Sequence, residues 1–80
     1  MTPPSTSSLP LFEQSCKEVL TRLEGDASYS ADGMRIEARD LLAVIESWKV
    51  ELPAAEARSA TVSKVMDLYS RTLDYLANKS

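Results

Sequence analysis

From Met34 the apolar side chains fall at Met34, Ala38, Leu41, Ile45, Trp48 and Leu52, in strictly alternating steps of four and three. That spacing is a heptad seam. A strand would need a period of two, so the stretch is committed to a helix lying at a shallow angle against helical neighbours, with Leu42 and Val44 broadening its stripe. A seam of about two and a half heptads is too short to hold a long coiled coil. It has to be covered by other helices of the same chain or by a second copy.

Pro53 ends the seam, because proline lacks the N–H that continues a helix and pushes the residue before it out of helical geometry. The second helix is therefore predicted over 32–50, capped by Ser30 or Asp32, and Pro53 opens a third helix over 53–77. In that third helix Val62, Met66, Tyr69, Leu73 and Leu76 form a seam, flanked by Val65, Leu68 and Tyr75. Ala54, Ala55, Ala57 and Ala60 give its first turns high helix propensity but little apolar bulk.

Upstream, Leu9, Phe12, Cys16, Val19, Leu20 and Leu23 line one face of a first helix over 9–24. Ser8 is its predicted N-cap, and Gly25 is placed to take the left-handed conformation that closes it. Residues 1–8 combine Pro, Ser and Thr with nothing to bury and are expected to form a disordered arm. With short connections and no repeat, residues 9–77 read as one domain. The expected fold is all-α: a three-helix up-down-up bundle, or a helical hairpin that completes its core by dimerisation.

The chain has 80 residues, a size at which the core is small and a staple, a metal or a second subunit commonly adds stability. It has one cysteine and no histidine. An internal disulfide is impossible, and Ser-His or Cys-His nucleophiles and Cys/His zinc sites are excluded on chemistry alone. The net charge of −3 and the absence of a basic run argue against nucleic acid, and no stretch is apolar enough for a bilayer. The first eight residues lack the basic and apolar regions of a secretory signal, and a lone thiol suits a reducing cytoplasm. A non-enzymatic, cytoplasmic protein without cofactor is the expectation.

One loop pattern touches metal chemistry. Asp26, Ser28, Ser30, Asp32 and Glu37 occupy positions 1, 3, 5, 7 and 12 of an EF-hand register, where oxygen ligands surround calcium. The sixth position, which calls for Gly, is Ala31, and Gly33 comes two residues late. Turn and cap chemistry accounts for the same side chains without an ion. A degenerate calcium-responsive loop is kept as an alternative.

The positive functional signal is a second stripe on the middle helix: Ile36, Ala43 and Val50 recur every seven residues, opposite Leu41, Ile45 and Trp48. A surface helix is normally apolar on one side only. With two neighbouring helices crowding the main seam, the second stripe is expected to stay exposed for a partner. The chain thus reads as a protein-protein interaction module, namely an adaptor, a regulatory subunit or a chaperone-like partner. Ile36, Ala43 and Val50 form its expected contact face, with Trp48, Met66 and Tyr69 as further anchors. The partner is another protein. Homodimerisation, as a structural or assembly subunit, is the alternative.

Overall fold

Three helices follow one another, α1 (Pro4–Arg22), α2 (Tyr29–Ser47) and α3 (Ala55–Lys79), and they pack as an up-down-up bundle. The structure is a computed structural model that describes residues 4–79, with side chains from residue 11 onward. No strand occurs among the described residues. One end of the bundle gathers the α1–α2 loop and the end of α3; the other gathers the α2–α3 connection and the start of α1. Of the arm expected over 1–8, residues 1–3 lie outside the described residues, and α1 as described opens at Pro4.

The seam does what its spacing demands. Met34, Ala38, Ile45 and Trp48 are buried and Leu41 is half-buried. Two apolar clusters meet at Leu41: Val19, Leu23, Ala31, Met34, Ala38 and Leu68 towards the loop end, and Cys16, Ile45, Trp48 and Val65 towards the other. Each fully buried side chain of Leu or Ile size contributes about 1.5–3 kcal/mol relative to exposure.

Five local expectations are corrected. α2 starts at Tyr29 because Ser28, not Ser30 or Asp32, is the N-cap: its backbone is extended and its Oγ accepts from Ala31 N at 3.2 Å. At its far end, Trp48 to Glu51 turn in shortened bonds onto Ile45, Glu46 and Ser47 carbonyls, so Leu52 leaves the seam and is exposed. α3 opens at Ala55 and not at Pro53, since the first carbonyl to accept is Ala54 O, from Arg58 N at 3.1 Å. It runs past the expected end at 77 because Lys79 is tied back to Asp26 at 2.7 Å.

The fifth correction concerns the face that α3 buries. Val65, Leu68 and Thr72 are buried, whereas Met66 and Leu73, expected on the seam, are exposed. Thr72 misleads in the sequence because it is polar. Its hydroxyl donates to Leu68 O at 2.8 Å, which satisfies the group locally and lets its methyl side enter the core.

Gly25 closes α1 with φ of 82°, the left-handed region that its position predicted. From Leu23 to Asp26 the chain reverses, and Asp26 N donates to Leu23 O at 3.1 Å.

Candidate functional site

The two ends of the bundle differ in how their polar groups are used. At the loop end Asp26 is almost enclosed and accepts from Ser28 N at 2.9 Å, Tyr75 Oη at 2.7 Å and Lys79 Nζ at 2.7 Å. Tyr75 Oη also lies 2.6 Å from Ser28 Oγ, so one hydroxyl of α3 fastens the loop that joins the other two helices. Lys79 first, then the Ser28 amide and the Tyr75 hydroxyl, hold the Asp26 carboxyl far below the usual carboxylate range. The carboxylate in turn raises the Lys79 ammonium above its ordinary value.

Arg35 belongs to the same device. Its Nη1 donates to Leu23 O and Asp26 O, both at 2.6 Å, which satisfies carbonyls at the end of α1 with a cation. The pair Arg35 and Arg39, which as sequence resembles a solvated basic face, is therefore divided between a helix cap and an exposed residue.

This arrangement also disposes of the EF-hand register. Residues from Tyr29 onward are helical, so Ser30 and Asp32 share the first turn of α2, Glu37 lies farther along it, and they do not converge with Asp26. Both Asp26 oxygens are engaged by protein donors. Among the described residues no three His, Cys, Asp or Glu side chains are grouped to hold a metal ion. Cys16 is fully buried in the Trp48 cluster, and burial pushes its thiol above the ordinary range, away from the thiolate a nucleophile requires.

The opposite end is apolar and open. Val44, Ser47, Trp48, Val50, Glu51, Pro53, Ala57 and Thr61 line a cleft of about 540 Å³ between the end of α2 and the start of α3. Trp48 is 6 % exposed and lies in its floor, whereas Val50 stands 93 % exposed at its rim. The α2–α3 connection that carries this rim is short, and Pro53 stiffens it.

The six residues singled out in the sequence do not form one face. Ile36, 51 % exposed, and Ala43 lie on the back of α2, away from both neighbours. Val50 falls beyond the last turn of α2 and joins the cleft, where Trp48 is a core residue rather than a projecting anchor. Met66, 64 % exposed, and half-buried Tyr69 line a third surface, a groove of about 430 Å³ between α1 and α3 with Leu11, Phe12 and Leu73.

Leu11, Val44 and Leu52 are the contact candidates that spacing alone does not reveal. Val44 looks like a simple broadening of the seam, and only its exposure in the folded bundle shows that its outer side is bare. No helix among the described residues is long and apolar enough to cross a membrane. Comparison with known proteins yields no matching family, no matching curated protein and no matching solved structure.

Proposed function

We propose that this chain is a non-enzymatic protein-interaction module, of the adaptor, regulatory-subunit or chaperone-like kind, which seats an apolar helix face of another protein in the cleft at the α2–α3 end. One observation carries this reading: an apolar cleft floored by Trp48 and rimmed by fully exposed Val50 lies open at the α2–α3 end of the bundle. Large exposed apolar side chains grouped around a concavity favour helix-in-groove recognition. The test compares capture by the wild-type chain and V50D from the native host. A partner held by the wild type and lost on V50D supports the reading; equal capture by V50D, or none by either, overturns it.

Self-association is a second reading with its own observation. On α3, Ser59, Ser63, Met66, Ser70, Leu73 and Ala77 fall at steps of four and three, all exposed and none charged, beside Leu11 of α1. Two α3 helices running antiparallel about a two-fold axis at Leu68 would set Met66 against Ser70 and Leu73 against Ser63, large against small, with Ser59 against Ala77 at the ends. Sedimentation across a wide concentration range checks it. A dimer that L73E dissolves supports the reading, and a monomer at every concentration removes it.

A further inference from the structure

Resting on the cleft reading above, we infer that the cleft's occupant is a basic amphipathic helix: apolar side chains seated over Val44, Trp48 and Pro53, with a Lys or Arg reaching Glu51.

The charge pattern around the cleft is lopsided in its pairing. Glu51 lines it, Glu46 sits in the last turn of α2, and Glu56 sits in the first turn of α3. No ion pair involves any of the three among the described residues. Glu56 has a use, since a carboxylate is favourable at a helix N-terminus. Glu46 and Glu51 have the opposite relation to α2: they add negative charge at the negative end of the helix dipole, and α2 has no basic residue in its last turn.

Nearby cations do not remove the imbalance. Lys49 is already paired with Glu13 at 3.1 Å, and Arg58, whose Nε has no hydrogen-bond partner, sets one cation against the three carboxylates. The other two helices end differently, α1 with Arg22 in its last turn and Arg35 on its carbonyls, α3 with Lys79. α2 is thus the helix whose last turn carries a carboxylate and no cation. An anionic occupant, whether phosphate, nucleic acid or an acidic membrane surface, meets repulsion here, whereas a cation beside an apolar contact is drawn in.

Backbone chemistry selects a helix over an extended strand. The N–H groups of Trp48, Lys49, Val50 and Glu51 are all bonded within the turn, so this stretch of the rim offers no donors along which a β-strand could zip. A helix satisfies its own backbone and needs only side-chain contact.

The experiment uses the full chain and three tryptophan-free synthetic peptides of equal length: one with Leu at i, i+3, i+4 and i+7 flanked by Lys, one with the same Leu pattern flanked by Glu, and a scrambled Lys peptide without the period. Trp48, the sole tryptophan, reports occupancy of the cleft by its emission. The Lys amphipathic peptide is expected to shift Trp48 emission and to bind more weakly as salt rises. Its affinity falls about tenfold on E51K, one lost charge contact, and is unchanged on E24K at the other end. Equal binding of the scrambled peptide, or equal weakening by E24K, overturns the inference. If the Glu peptide shifts Trp48 as well as the Lys peptide does, the basic partner is overturned while the docking reading stands. If no peptide moves Trp48, both fall.

Discussion

The loop end and the α2–α3 end are built from the same three helices and fastened by different chemistry. At the loop end α3 reaches the α1–α2 loop through Tyr75 and Lys79, and Arg35 ties α2 to the end of α1. At the other end the apolar cluster of Cys16, Ile45, Trp48 and Val65 provides the cohesion, with Lys49–Glu13 on the outside. Directional bonds fix position, while apolar burial supplies more free energy per residue but tolerates rearrangement. The difference teaches how a small bundle divides its chemistry: one end is fixed by polar bonds satisfied internally, and the other is held by packing and leaves Val44 and Val50 exposed around a cleft.

The largest effect is expected from removing the packing that the open end depends on. Trp48→Ala deletes the largest side chain of its cluster and is expected to cost about 3–5 kcal/mol, enough to unfold a domain of this size, as read by thermal or denaturant melting. A loss below about 1 kcal/mol shows that the two ends do not divide their cohesion in this way. Next comes the latch. Tyr75→Phe removes the hydroxyl shared by Asp26 and Ser28 and is expected to cost about 0.5–1.5 kcal/mol, with faster amide exchange over residues 26–31 and little change over 48–54.

The same latch sets an acid limb. Asp26 has a folded value depressed below its unfolded value of about 3.9, so its stabilisation is complete above that pH and is lost as acidification continues towards the folded value. Lys79, raised in the folded state, contributes below its ordinary value of about 10.4 and loses that contribution at higher pH. Asp26→Asn is expected to lower the melting temperature at neutral pH and to flatten its fall below about pH 4. An unchanged acid limb means that other carboxylates set it.

Smaller still is the start of α3, where Ala54 stands in the capping position with no side-chain acceptor. Ala54→Ser is expected to add about 0.5–1 kcal/mol, measurable as a rise in denaturation midpoint, and so to stiffen the open end without touching its cleft. Val50→Asp, on a residue 93 % exposed, is expected to shift stability by less than about 0.5 kcal/mol. A large destabilisation there contradicts the exposed rim on which the proposed function rests.

Helix number, order and the packing face of α2 were legible because Met34 to Trp48 repeat without interruption and because Gly25 and Pro53 punctuate the chain. The face of α3 was not. Its apolar stripe spans more than one helix can bury, and Thr72 chose the centre by satisfying its hydroxyl on the preceding turn. Ile36 and Ala43 could be placed on the back of α2 from the period alone. Val50 could not be assigned to the cleft, since its position depends on where α2 stops. The latch was hidden because Asp26 and Lys79 are 53 residues apart, and neither carries a local pattern that points to the other.

The lone sulfur has a consequence of its own. Cys16 Sγ lies at zero exposure among Trp48, Ile45 and Val65, so a thiol reagent reaches it only when this cluster parts. The chain therefore carries an internal clock: under conditions where closing outpaces labelling, the modification rate relative to that of the unfolded chain gives the free energy of opening at this end. Anything that settles in the neighbouring cleft and holds the cluster shut slows that clock.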